Sequence, residues 1–308
     1  MQPVRVAIVG LGKIALEEHI PALKANAAFL LVAAASDRCR LDGLPVFSSA
    51  EAMFEAMPQI EAVAICTPPQ AHYAPAKLAL SHGKHVLLEK PPCATLAEFE
   101  DLVALAAAQG VTLFQTWHAR EAPAVQAAAQ WLRGRRVKAG RVIWKEDVRH
   151  WHPGQSWIWS EGGFGVLDAG INAISILTAI VPEPLHVEAA HFLVPANSPS
   201  PIAVAVSLAT PSGAFIDAEF DFRHRGIQAR SVELETDSGR FDLAAFAAAH
   251  GDPMWGEPAS QPREYAGLYR RFAALIAARR SDTDDKPLAL VLDIFRLAGR
   301  SVVEPFQE

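Results

Sequence analysis

The stretch from Val4 to Ala15 constrains this chain more than any other. Val4 to Val9 is an apolar run that reads as a buried strand and stops at Gly10. The pattern Gly10-x-Gly12-x-x-Ala15 follows at once, with helical sequence behind it. Strand, glycine turn and helix in that order form the dinucleotide-binding fingerprint. Gly10 permits the tight turn out of the strand, Gly12 lets the backbone approach a pyrophosphate, and Ala15 lets the helix pack closely on the sheet. Lys13 and Ile14 open that helix, whose N-terminal N–H groups and positive dipole end suit phosphate. The bland alternative is a glycine turn in an α/β domain that holds no ligand.

The next hundred residues repeat the same alternation. The helix after the fingerprint runs to about Ala25, and Pro21 inside it predicts a new start or a kink near Ile20. A second strand, Phe29 to Ala35, ends in Ser36-Asp37-Arg38. An acidic residue at that distance from the glycine turn receives the ribose hydroxyls. Asp37 repels a ribose phosphate and favours NAD, whereas Arg38 could hold that phosphate and favours NADP; the balance tips to NAD. Capping boxes at Ser48-x-x-Glu51 and Thr95-x-x-Glu98 predict helix starts, and Gly83 and Gly110 predict helix ends. Further strands are expected at Ala62 to Cys66, His85 to Leu88 and Val111 to Thr116. Thr67-Pro68-Pro69 stops the first of these, and Glu89-Lys90-Pro91-Pro92 the second. Short apolar runs alternating with capped helices predict βαβ units and a parallel sheet. Ligands of such sheets bind beyond the carboxyl ends of the strands, where Gly10, Asp37, Thr67 and Lys90 all fall. The expected cofactor set is Gly10, Gly12, Lys13, Ile14, Ser36, Asp37, Arg38, Thr67, Pro68, His72, Glu89 and Lys90.

At 308 residues, 51% hydrophobic and 20% charged, the chain has core material for two domains. A net charge of −6 with no strongly basic segment argues against nucleic acid as a partner. The longest apolar run, Ala27 to Ala35, is too short to span a membrane. With no signal-peptide pattern and three widely spaced cysteines (Cys39, Cys66, Cys93), the expectation is a cytoplasmic protein with free thiols.

From about Arg120 the character changes. Val137 to Val148 reads as a long strand, and the chain from Trp144 to Trp159 then carries four tryptophans, two histidines and alternating charges. Aromatic faces stack on the C–H faces of sugars while charged and amide groups take their hydroxyls, so this stretch is a candidate carbohydrate surface; a packed aromatic cluster with a wet rim is the alternative. His150-x-His152 with Glu146 could mimic metal ligands, yet no third histidine or cysteine is in register, and no metal is expected. A helix beginning near Asp168 and running to about Ile180 sets Asp168 and Asn172 four apart on one face. Beyond it, His186 to Val194, Ile202 to Ala209, Ala214 to Phe222 and Ser231 to Thr236 read as strands of an open, mainly antiparallel sheet. Ala266 to Ala278 and Leu288 to Val302 read as helices.

The glycine turn, the Thr67-Pro68-Pro69 strand end and Glu89-Lys90-Pro91 together resemble the glucose–fructose oxidoreductase, inositol dehydrogenase and rhizopine-catabolism (Gfo/Idh/MocA) family, over nearly the whole chain. The resemblance implies an α/β Rossmann domain over residues 1–119 and an α+β substrate-binding and oligomerisation domain over 120–286. It implies too that a C-terminal helix, 287–303, packs back on the first domain. It makes Lys90, with a cis Lys90–Pro91 peptide, the catalytic-site lysine. It matches Asp168-x-Gly170-x-Asn172 to the family's Asp-x-Gly-x-His, with asparagine replacing the histidine. Asparagine cannot act as a base near neutral pH, so the proton must leave through Lys90, Asp168 or His152. This departure, with the run Trp144 to Trp159, resembles the family's bacterial aldose 1-dehydrogenases, which act on L-arabinose and D-galactose. It implies NAD(P)-dependent oxidation of an aldopyranose at the anomeric carbon to the aldonolactone. Lys90, Asp168 and Asn172 would then be catalytic, and Glu146, Trp151, His152 and Trp159 would bind the sugar. A homodimer or homotetramer through the C-terminal sheet is implied as well. An inositol or polyol dehydrogenase and a non-catalytic dinucleotide-binding sugar sensor are the competing expectations. The joint presence of Lys90 and Asp168 favours an enzyme over the sensor, and Asn172 disfavours the polyol reading.

Overall fold

The computed structural model describes residues 2–249 and 263–307. The chain forms two compact units. The first runs to Glu121 and takes back a later stretch that ends at Asp285; the second begins at Ala122 and resumes at Lys286.

In the first unit, β1 (Val4–Val9), β2 (Phe29–Ala35), β3 (Val46–Phe47), β4 (Ala62–Ile65), β5 (His85–Leu88) and β6 (Leu113–Gln115) pair in parallel in the order β3-β2-β1-β4-β5-β6. Val6, Ile8 and the whole of β4 are sealed from solvent, which is why these strands are continuously apolar rather than alternating. The chain crosses from one side of β1 to the other between β3 and β4. That reversal opens a crevice at the carboxyl ends of β1 and β4, the place where ligands of such sheets bind. The helices α1 (Ile20–Lys24), α2 (Ala50–Ala56), α3 (Tyr73–Ser81) and α4 (Leu96–Gln109) make the crossovers. Thr95 and Glu98 form the expected capping box, and Gly83 and Gly110 adopt positive φ at the expected helix ends. The Ser48 cap is displaced by one residue: Ser49 is in extended backbone and accepts from the Ala52 N–H, so it caps α2. Before α1, Ala15–His19 forms a wide turn in which the Ile20 N–H donates to the Ala15 carbonyl, five residues back. Pro21 explains it: the ring has no N–H and crowds the carbonyl four residues earlier, and a π turn relieves that crowding.

In the second unit, α5 (Pro123–Leu132), β7 (Val137–Lys145), α6 (Val148–Trp151), α7 (Leu167–Ile180), β8 (His186–Pro195), β9 (Ala203–Ala209), β10 (Phe215–Asp221), β11 (Ala229–Thr236), β12 (Gly239–Asp242) and α8 (Leu243–Ala249) follow in order. After α9 (Arg263–Ala278) come α10 (Lys286–Leu297) and β13 (Gly299–Val303). The sheet order is β12-β11-β7-β10-β9-β8-β13, antiparallel except for the β7–β10 and β8–β13 pairs. The apolar helix α7 is buried on almost every side and packs against α5, α10 and β7. The other sheet face carries Phe215, Asp217, Glu219, Arg141 and Lys145, exposed or half-buried.

Three sequence expectations change here. The strand expected to reach Val148 stops at Lys145, because the Asp147 carboxylate accepts from the Arg149 N–H and opens the helical turn α6. His150 and His152 therefore do not share a strand face. The helix expected to end at Val302 stops at Leu297, and Gly299–Val303, ending in β-branched Val302 and Val303, pairs with β8 as an edge strand. That helix, α10, packs on α7 and β8 within the second unit. Helix α9 belongs to the first unit. Its Tyr265, Leu268, Tyr269 and Phe272, at helical spacing, join Val6, Ile8, Phe29 and Phe114 in one core. Burying four such side chains contributes roughly 1.5–3 kcal/mol apiece.

Candidate active site

At the carboxyl ends of the first sheet, Gly10 has φ +93°, and a Cβ there would lie 2.7 Å from the Thr67 nitrogen and 2.8 Å from the Cys66 carbonyl carbon. Gly10 is therefore demanded by the close passage of the β1 and β4 exits. A Cβ on Gly12 would meet nothing within 4 Å, so what glycine preserves there is open space beside a helix N-terminus. This is the fit expected for a pyrophosphate. Lys13 and Ile14 follow in the first helical turn, exposed. At the β2 exit the Ser36 hydroxyl accepts from the N–H groups of Arg38 and Cys39, which folds the ribose-side turn. Asp37 and Arg38 are exposed and 3.7 Å apart. Arg40, which sequence reasoning passed over, reaches back to the Ser36 and Cys39 carbonyls and adds a second guanidinium to this turn.

The β4 and β5 exits are tied together by His72. Its Nδ1 is 2.9 Å from the Pro91 carbonyl and 3.2 Å from that of Pro92, and its Nε2 is 2.5 Å from that of Thr67. His72 is fully buried, and burial pushes its pKa below the usual histidine value. It holds the loops carrying Thr67 and Pro68 on one side and Lys90 on the other, which is a structural task. The Lys90–Pro91 peptide is cis. Glu89 is 4% exposed, and its oxygens accept from His19 Nε2, Tyr265 Oη, Thr116 Oγ1 and the Lys90 N–H. Burial alone would raise its pKa, but the His19 hydrogen bond and the charges of His19, His118 and Lys90 hold it down to about 2.

The second unit gathers its polar groups at one end of its sheet. β7, β10, β8 and β13 all run toward that end, and β9 and β11 start from it. Glu146, just past β7, is 2% exposed. One of its oxygens is 3.1 Å from His152 Nε2; the other accepts from Arg230 at 2.8 Å and Gln228 at 3.4 Å. Burial opposes ionisation, but His152 and Arg230 hold the Glu146 carboxyl below its ordinary pKa. The Arg230 guanidinium lies over the Trp144 ring at 4.5 Å, a cation–π contact. Phe222 continues the wall, with ring centroids 5.5 Å from His152 and 6.0 Å from Trp159, and Trp159 meets Phe306 at 5.7 Å. Trp151 packs edge-on to His150. A cleft of about 240 Å³ opens between Trp159, Phe306, Pro195, Asn197, Ser198, Ser156 and Gly154.

Helix α7 starts at the same end. Gly165 has φ +53°, and a Cβ there would collide with the Pro201 carbonyl; the Val166 N–H donates to that carbonyl at 2.9 Å. The Gly165 N–H donates to Ile158 at 3.1 Å, which ties the tryptophan loop to the helix start. Asp168 is buried in the first turn, and Asn172, half-buried, is one turn on. The structure thus brings Glu146, His152 and Trp159 to the sheet end where the helix bearing Asp168 and Asn172 begins. Arg230, Gln228 and Phe222 were missed; the polar Gln228 and Arg230 at the mouth of β11 were the one available signal. Among the described residues no group of three or more His, Cys, Asp or Glu is arranged to hold a metal, and no helix is long and apolar enough to cross a membrane.

Fold and site together define a class. The oxidoreductase family with an NAD-binding Rossmann fold, Gfo/Idh/MocA, matches residues 4–116. The chain belongs to this family, for the likeness continues over its whole length, and it is an NAD(P)-linked oxidoreductase. It is 41% identical to a galactose 1-dehydrogenase of Pseudomonas fluorescens, with 100% of both chains covered. The crystal structure of a D-galactose-1-dehydrogenase protein from Rhizobium etli superposes with a TM-score of 0.90 at 46% identity, over 100% of this chain and 99% of that one. KijD10, a 3-ketoreductase from Actinomadura kijaniata crystallised with TDP-benzene and NADP, shares the fold alone: TM-score 0.83 at 20% identity, over 98% and 99% of the two chains.

Proposed function

We propose that the protein oxidises an aldopyranose, D-galactose and/or L-arabinose, at the anomeric carbon to the aldonolactone. The observation that carries this reading is the Glu146–His152–Arg230 cluster beside the aromatic wall of Phe222 and Trp159. Charged donors and flat rings are what a pyranose asks for, and the full-length likeness to galactose 1-dehydrogenases supports it. Glu146, its oxygens already engaged, acts by aligning His152 and Arg230 on the sugar hydroxyls. Trp151 and Trp159 supply stacking faces. Lys90 and Asp168 handle the proton of the anomeric hydroxyl, and Asn172 holds that hydroxyl by its amide. Fixing the sugar so that its anomeric C–H faces the acceptor is the larger part of such catalysis. The dinucleotide supplies the hydride acceptor when bound. Gly10, Gly12, Lys13 and Ile14 would hold its pyrophosphate, Ser36, Asp37 and Arg38 its ribose, and the loops of Thr67, Pro68 and Lys90 its nicotinamide end.

Asp37 favours NAD over NADP, although two arginines stand close enough to it to admit NADP. The exposed face of the seven-stranded sheet, centred on Phe215 and Glu219, is the surface through which a homodimer or homotetramer would form. The free thiols of Cys39, Cys66 and Cys93 suit a reducing cytoplasm. A panel of aldoses and inositols assayed with each dinucleotide by NAD(P)H absorbance tests the reading. Turnover is expected with galactose or arabinose, and turnover confined to inositols, or none at all, refutes it.

A further inference from the structure

Glu89, one residue before Lys90, is buried with both carboxylate oxygens engaged. Oε1 accepts from His19 Nε2 at 3.1 Å and Tyr265 Oη at 3.1 Å, and the Thr116 hydroxyl shares its one proton between Oε1 at 3.3 Å and the Leu88 carbonyl at 3.1 Å. Oε2 takes the Lys90 backbone N–H at 3.0 Å. Behind it, His19 Nδ1 is 2.8 Å from the Tyr269 hydroxyl. With Nε2 protonated, His19 donates to Glu89 on one side and meets the Tyr269 hydroxyl on the other. His19, Glu89 and Thr116 are buried, as are Tyr265 and Tyr269. The line Tyr269–His19–Glu89 thus runs from α9 through the π turn to the peptide nitrogen of Lys90. It joins three segments that lie far apart in sequence. Other titratable groups that feel Glu89 are Cys66, His72 and His118.

We propose that Glu89 is the positioning residue for Lys90: a buried carboxylate, anchored by His19, Tyr265 and Thr116, that fixes the Lys90 main chain at the end of β5. This rests on the reading of Lys90 as a proton-handling group. A loss of about 1 Å in the placement of such a group can cost two orders of magnitude in rate. Buried carboxylates of this kind are costly to strand, so all four donors have a share in the alignment. His19 is the last residue of the π turn and is buried there.

The test combines turnover with a readout that does not depend on it. In Glu89→Gln, kcat falls about a hundredfold, while the sugar KM and the dinucleotide Kd stay within about threefold. Exchange of the Lys90 amide hydrogen, followed by NMR, quickens by an order of magnitude or more. His19→Gln, which can still donate to Glu89, restores most of the kcat and of the amide protection that His19→Leu loses. That rescue also serves if Glu89→Gln does not fold. Unchanged Lys90 protection in Glu89→Gln or His19→Leu overturns the proposal, as does a Glu89→Gln variant that loses dinucleotide binding and keeps kcat. If Lys90→Ala turns over normally, the catalytic reading of Lys90 falls, and amide exchange still decides the positioning.

Discussion

The glycine turn offers a test in which fold and ligand binding separate. Gly10→Ala places a methyl 2.7 Å from the Thr67 nitrogen in a backbone of φ +93°. The left-handed region costs an L-residue roughly 1–2 kcal/mol. The contact is about an ångström short of a comfortable one, and forcing β1 and β4 apart adds about 1–3 kcal/mol. The sum is about 2–5 kcal/mol of lost stability. Gly12→Ala meets nothing within 4 Å and has no positive φ to resist. Its stability should be unchanged or about 0.4–1 kcal/mol higher, because the unfolded chain loses freedom. Its methyl, however, occupies the space where a pyrophosphate would approach. Losing one charge-assisted hydrogen bond costs about 1.5–3 kcal/mol, a tenfold to roughly hundredfold weaker Kd. Urea denaturation gives the first quantity, and titration calorimetry with NAD and NADP gives the second. Gly12→Ala binding within twofold of wild type, or destabilised as much as Gly10→Ala, would refute the reasoning.

Glu89, whose pKa is held down to about 2 from an ordinary 4.5, contributes stability that is fully present above pH 4.5 and drains away as the pH falls toward 2. At about 1.4 kcal/mol per unit this is about 3 kcal/mol, so urea midpoints between pH 5 and 3 should fall more steeply for wild type than for Glu89→Gln. Gly165→Ala drives a methyl into the Pro201 carbonyl at positive φ; about 3 kcal/mol or more should be lost in chemical denaturation. Arg230→Lys keeps the charge but loses the flat stack on Trp144, and Lys does not replace Arg at stacked sites. Initial-rate measurements should show the sugar KM rising about tenfold with little change in kcat.

Much of the nucleotide unit was readable along the chain because its information is local. A strand, a glycine that must turn and a helix that must start are all written within Val4 to Ala15, and Thr95 and Glu98 cap their helix through bonds three residues long. The same locality placed Asp168 and Asn172 on one helix face. Where the reading slipped, the deciding contact was distant or depended on an alternative partner. Val302, expected to end a helix, lies in a strand because β8 offers an open edge to Gly299–Val303. Strand β7 stops early because Asp147 caps a turn instead. The partner of Glu146 was equally out of reach of a local reading, because Arg230, which donates to one of its oxygens, lies 84 residues away.

Sequence alone determined the class of fold, the glycine turn, the strand-end loops and most of the residue types the chemistry needs, since backbone geometry and periodicity act between neighbours. Only the tertiary structure decided which of those residues face outward and which brace the others from within. Glu89, Glu146 and His72 each owe a hydrogen-bond partner to a segment farther along the chain, Tyr265, Arg230 and Pro91 respectively, that closes on them when the core forms. A buried polar atom must satisfy its hydrogen bonds there, whichever segment supplies them.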